Sequence, residues 1–168
     1  FGNGMLLSKH TKLQGAFNHM HIFVDPNPDP VESWKERRRL FRKPGSTWAD
    51  YDPKRLSAGG SVFSRGAKAL DISSEIKKCF SINKNSVTPN ELIGSLLRAN
   101  ADLLWFGGIG TYVKASSETH LDVGDRTNDG IRVNGADLKC KVIGEGANLG
   151  CTQLGRIEYA MKGGRLNT

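Results

Sequence analysis

Three short apolar runs limit what this chain can become: Asn18 to Asp25 (NHMHIFVD), Ala101 to Phe106 (ADLLWF) and Lys139 to Gly144 (KCKVIG). Each packs Ile, Val, Leu or Phe without alternation and stops at an acid or a glycine turn. That is the pattern of a strand buried on both faces in a parallel sheet. Between and around them lie helical patterns. Met5-Leu6-Leu7, Leu13 and Phe17 form a stripe that predicts a helix from Met5 to about Phe17. Asp29 is placed to cap a helix from Pro30 to about Phe41. Ser73 with Ile76 suggests a short helix. Thr88-Pro89-Asn90-Glu91, followed by Leu92, Ile93, Leu96 and Leu97, has capping-box spacing with proline at the first helical position. Thr152 to Met161 reads as a helix ended by Gly163-Gly164. Strands alternating with helices predict an α/β fold, a Rossmann-like doubly wound and mostly parallel sheet.

The remaining segments read as connections. Pro44-Gly45-Ser46 ends the second helix, and a turn-rich loop anchored by Trp48 and Tyr51 runs to Gly60. Ser61 to Ser64 and Ala67 to Ile72 are expected to pair as a hairpin, and Ser116 to Asp129 is expected to be a polar surface excursion. The chain of 168 residues has the size of one domain, residues 1–168, with insertions expected near 43–72 and 116–129.

Several classes of function are disfavoured. The formal charge of +7 raises nucleic acid as a partner. The dense basic run Lys35-Glu36-Arg37-Arg38-Arg39, with Arg42 and Lys43, reads instead as the solvated face of one helix, and no nucleic-acid module accompanies it. Cys79, Cys140 and Cys151 form no CxxC pair, which argues against a disulfide framework or zinc and for a reducing, cytoplasmic setting. His19 and His21 lie two apart, but no cluster completes a metal site. Trp34, Trp48 and Trp105 read as core anchors. No apolar stretch approaches the roughly 20 residues that span a bilayer. There is no nucleophile elbow, and no phosphate loop ending in Gly-Lys-Ser or Gly-Lys-Thr. Phe1 in place of Met suggests a piece of a longer chain.

In a parallel α/β sheet, ligands bind at the carboxyl ends of the strands. Asp25 ends the first run, where a carboxylate can accept both hydroxyls of an adenosine ribose; an acidic cap before Pro26 is the alternative. The second run ends in Gly107-Gly108-Ile109-Gly110-Thr111, whose bare backbone permits close approach of a ligand, or simply makes a turn. The third ends in Glu145-Gly146-Ala147-Asn148. The Asn148 amide can donate and accept at once, as a carboxamide or ribose hydroxyl requires, or can bond only to its own turn. The opening Phe1-Gly2-Asn3-Gly4-Met5 is an incomplete dinucleotide fingerprint, with no third glycine and no strand before it.

Taken together, FGNGMLLS, HIFVDPNPDP, TWADYD, ADLLWFGGIGTYVKASSET, VGDRTND, VIGEGANLG, GRIEYA and GGRLNT resemble the large NAD-specific glutamate dehydrogenases of bacteria, nearly from end to end. The resemblance implies a nucleotide-binding domain lacking its first strand and glycine-rich turn, with Gly2 and Gly4 early in a helix. It implies NAD as cofactor, with Asp25 on the adenosine ribose and repelling the extra phosphate of NADP. Asn148 would lie beside the nicotinamide ribose, with Gly107, Gly108 and Gly110 near it. Glutamate and 2-oxoglutarate are the implied substrates of a homo-oligomeric enzyme, and neither nucleic acid nor membrane is an expected partner. The family's catalytic Lys and Asp have no match here, so no catalytic residue is expected in the chain and no activity from it alone. Lys114 is expected to be a surface residue. The alternative is a non-catalytic nucleotide-binding or interaction module of a larger protein.

Overall fold

The computed structural model describes residues 7–146 and 148–167, so the predicted early-helix role of Gly2 and Gly4 lies outside the described residues. The chain divides into two compact units, Phe1–Leu92 and Ile93–Thr168.

The first unit is built on an antiparallel sheet. Strands β1 (Gly15–Phe17), β2 (His21–Val24) and β3 (Ser61–Ser64) lie in that order, with Ala16 opposite Phe23 and Phe23 opposite Val62. Asn18 makes the first turn, its side-chain oxygen accepting from the amides of Met20 and His21, each at 2.8 Å. This bond lets asparagine stand in for a backbone turn. Two expectations are thereby corrected. The predicted helix to Phe17 gives way to β1, because Ser8-Lys9-His10-Thr11 puts no apolar residue one turn before Leu13 and the Asn18 turn folds the segment onto β2. The run HIFV is buried as expected, but its neighbours are antiparallel. An unbroken apolar run specifies burial, not the direction of its partner.

Helix α1 (Pro30–Arg42) starts where the sequence places it, with the Asp29 carboxylate accepting from the amides of Val31 and Glu32 at 2.9 Å. Its basic run is only partly solvated. Arg37 is fully buried and donates to the carbonyls of Ser33 at 3.1 Å, Ser8 at 3.0 Å and Thr11 at 3.2 Å. Buried Glu36 accepts from the Asp52 amide at 2.8 Å and pairs with Arg39 at 2.6 Å. Below the helix Phe23, Leu40, Trp48 and Tyr51 form the core, with the Phe23 and Trp48 ring centroids 4.6 Å apart. Burying each such large side chain contributes roughly 1.5–3 kcal/mol.

The expected hairpin over Ser61–Ile72 does not form. β3 pairs with β2, and β4 (Leu70–Asp71) pairs with β5 (Ser86–Val87) across α2 (Ser74–Phe80), which Ser73 caps through the Ile76 amide. The capping box of α3 (Pro89–Leu97) is present: the Thr88 hydroxyl accepts from the Glu91 amide at 3.2 Å, and Glu91 accepts from the Thr88 amide at 2.7 Å. Lys84 and then Thr88 hold the Glu91 carboxyl down at about 2. Lys43 and then Thr47 do the same for Asp50, also at about 2. A depressed carboxyl stabilises the fold above its ordinary range and loses that contribution as pH falls through the folded value. The melting temperature is therefore expected to decline between pH 4.5 and 2, and Glu91→Gln should flatten part of that decline. A variant profile as steep as the parent's would count against it.

The second unit contains β6 (Leu103–Phe106), β7 (Val113–Lys114), α4 (His120–Val123), β8 (Val133–Asn134), β9 (Val142–Glu145), α5 (Gln153–Met161) and β10 (Arg165–Asn167). Its main sheet is parallel, in the order β10-β9-β6, and β7 pairs parallel with β8. β9, α5 and β10 form a strand-helix-strand unit whose last strand the sequence pattern does not mark. Helix α5 packs through glycine. A Cβ on Gly155 would lie 2.9 Å from the carbonyl carbon of Lys114, and one on Gly135 would lie 2.5 Å from the Gly155 oxygen. The architecture is mixed α/β, with one antiparallel and one parallel three-stranded sheet in place of the single parallel sheet predicted. Among the described residues no helix is long and apolar enough to cross a membrane.

Candidate functional site

The parallel pairing of β6 with β9 sets Phe106 opposite Glu145, so two loops leave neighbouring strands at the same level. The first is Gly107 to Thr111 and the second Gly146 to Gly150. They are joined by hydrogen bonds from the Gly146 amide to the Phe106 carbonyl at 2.9 Å, from the Thr111 hydroxyl to the Leu149 carbonyl at 2.8 Å, and from the Tyr112 amide to the Gly150 carbonyl at 2.8 Å. Tyr112 stacks on Phe106 with centroids 5.7 Å apart, and its hydroxyl donates to the Ile109 carbonyl at 3.0 Å.

The glycines divide by what a side chain would meet. Gly110 has φ +132°, and a Cβ there would sit 2.7 Å from the Asn128 amide nitrogen, so this position needs glycine. Gly107 and Gly108 are exposed, and a Cβ on Gly108 would meet nothing within 4 Å. Gly144 and Gly146 make room for Trp105, whose ring would lie 2.6 and 2.5 Å from the added carbons. Trp105 is 38% exposed above them, not a core anchor. Asn148 is exposed, and the next residue, Leu149, has left-handed backbone at φ +55°. A non-glycine residue there stores on the order of 1 kcal/mol or more.

What fixes these loops comes largely from the segment expected to be a surface excursion, and from Arg132 just beyond it. The Arg132 guanidinium is fully buried; its Nε donates to the Thr111 carbonyl at 2.9 Å and it pairs with Asp129 at 2.6 Å. Asp125 accepts from the Thr111 amide at 2.9 Å and from the Asn128 side chain at 2.7 Å. Burial pushes the Asp125 carboxyl up, but Asn128, the Thr111 amide and the Arg132 charge outweigh it and hold it below the usual range. Sequence reasoning missed Asp125, Asn128 and Arg132. The one available signal was VGDRTND, one of the phrases that carry the family resemblance. Behind the second loop, Glu145 accepts from the Cys151 amide at 3.0 Å and pairs with Arg156 at 2.8 Å. Burial, then Glu145, pushes the Cys151 thiol up to about 12, so it is no nucleophile at neutral pH.

Gly107, Gly108, Gly110 and Asn148 are thus brought onto two joined loops of the second unit, while Asp25 belongs to the first. There Asp25 is fully buried, with Oδ1 accepting from the amide and hydroxyl of Ser57. Its Oδ2 has no hydrogen-bond partner among the described residues. Burial raises its pKa, against the lowering effect of Ser57 and, more weakly, of the Asn27 amide. Lys114, expected at the surface, is buried, its amine donating to Asn134 at 2.7 Å and to the Ala115 carbonyl at 3.1 Å. No group of three potential metal ligands occurs among the described residues.

The architecture is α/β, and its joined loops lie at the carboxyl ends of adjacent parallel strands, where open α/β sheets generally take ligands. Over residues 1–168 the chain matches the family described as bacterial NAD-glutamate dehydrogenase, catalytic domain, and it belongs to that family. Along its whole length it is 58% identical to the NAD-specific glutamate dehydrogenase of Pseudomonas aeruginosa and 55% identical to that of Halomonas elongata, covering 10% of each. It is 53% identical to the enzyme of the same name from Mycobacterium tuberculosis, covering 11% of it. The chain therefore spans about a tenth of the length of these relatives.

Proposed function

We propose that this chain is the NAD-binding part of a glutamate dehydrogenase that deaminates glutamate oxidatively to 2-oxoglutarate and ammonium. The observation that carries the reading is the exposed Asn148 amide at the junction of two strand-end loops, in a chain that belongs to this family. The residues fit the cofactor's chemistry. Asn148 offers a donor and an acceptor together, and the open backbone at Gly107 and Gly108 leaves room for a ligand to approach. Asp25, on the first unit, offers a buried carboxylate oxygen with no hydrogen-bond partner among the described residues, an acceptor of the kind a ribose hydroxyl needs.

When bound, NAD supplies the hydride acceptor. The protein's part is to hold the nicotinamide end through Asn148 and the first loop, so that reacting atoms meet at high effective molarity. Proton transfers belong to a second domain of the longer, homo-oligomeric and cytoplasmic enzyme. The parallel sheet of the second unit, with its strand-helix-strand unit, would then be part of a doubly wound fold.

The full-length protein is expected to reduce NAD in the presence of glutamate, and an absence of glutamate-dependent NADH formation would overturn the proposal. Asp25→Ser in that protein should raise KM for NAD more than for NADP, since it removes a ribose acceptor together with the repulsion of a 2′-phosphate. Equal losses for the two cofactors would withdraw Asp25 from the site.

A further inference from the structure

We infer that Arg132 is a positioning residue for Asn148, acting through Thr111; this rests on the NAD reading above. Both backbone groups of Thr111 are gripped by side chains. Its carbonyl accepts from Arg132 Nε at 2.9 Å, and its amide donates to Asp125 at 2.9 Å. Arg132 also donates to the Asp125 carbonyl and pairs with Asp129 at 2.6 Å, while its second nitrogen contact at that end is His120 at 2.8 Å. With its side chain fully buried, this guanidinium has no solvent to turn to, so its donors depend on these protein partners.

The next link runs from Thr111 to the second loop. Its hydroxyl donates to the carbonyl of Leu149 at 2.8 Å, the residue that follows Asn148. Leu149 sits in the left-handed region, at φ +55°, a conformation that persists only where neighbours impose it. The Thr111 bond is one of those constraints. A lysine at 132 would keep the charge but lose the planar fork that reaches Thr111 and the acidic pair together.

The test is steady-state kinetics on the full-length protein with Arg132→Lys, Thr111→Val and Thr111→Ser, numbered as in this chain, each with a melting curve. Arg132→Lys should lower kcat by on the order of 10²-fold with a smaller change in KM for NAD, since a misplaced contact costs orientation more than occupancy. Thr111→Val keeps both backbone bonds and removes only the hydroxyl link, so it decides the matter if the arginine variant does not fold. It should lower kcat at an unchanged melting temperature, and Thr111→Ser should restore it. Parental kcat in Thr111→Val, or a kcat loss that serine does not restore, overturns the inference. Wild-type protein that does not use NAD at all overturns the functional reading instead.

Discussion

Asn148→Ala in the full-length protein is expected to lower turnover with NAD by on the order of 10²-fold, the loss that misplacing a reacting group brings. The melting temperature of the cofactor-free protein should stay the same. The side chain is exposed, so its removal leaves no buried donor or acceptor unmatched, whereas breaking a buried turn would cost about 1–3 kcal/mol with or without cofactor. Comparing melting of the cofactor-free variant and parent, then measuring NAD affinity and kcat, separates the two. A large loss of stability at normal kinetic constants would assign Asn148 to the fold and remove it from the site.

A large effect on stability is expected at Gly155. A Cβ there would stand 2.9 and 3.0 Å from backbone atoms of Lys114, and backbone cannot rotate away as a side-chain tip can. Gly155→Val should push α5 off β7 and cost roughly 3 kcal/mol, at the upper end of what overpacking usually costs. Gly108→Ala is the matched control, because its Cβ would meet nothing, and it should stay within about 0.5 kcal/mol of the parent. Urea unfolding of both variants checks this, and a midpoint for Gly155→Val equal to the control's would mean that the helix can shift at no cost.

Local signals carried much of the architecture. Asp29 before Pro30, the Thr88–Glu91 box and the glycines after Met161 each mark a helix end by bonds made within a few residues, and those ends stand where the sequence places them. ADLLWF and KCKVIG are parallel partners as expected. HIFV looked the same, and its antiparallel pairing with β1 was illegible because the turn that sets it depends on one Asn18 side chain. In the candidate site, the glycine loop and the asparagine stand out in the sequence because each has a chemistry of its own. Arg132 could not, since a buried arginine and a surface one are the same letter. Its partners at Thr111 and Asp125 lie 21 and 7 residues away.

Those separations bear on when the site comes into being as the chain folds. Arg132 reaches back 21 residues to Thr111, and Thr111 reaches forward 38 to Leu149. Closing loops of that length costs entropy before any contact repays it. Helices capped from within, such as α1 and α3, can form early. The two loops cannot take their final positions until β6 has found β9. On a ribosome, every chain that stops short of Gly150 would carry the glycine loop without the partner that shapes it, so the two loops can join only after Gly150 has been made.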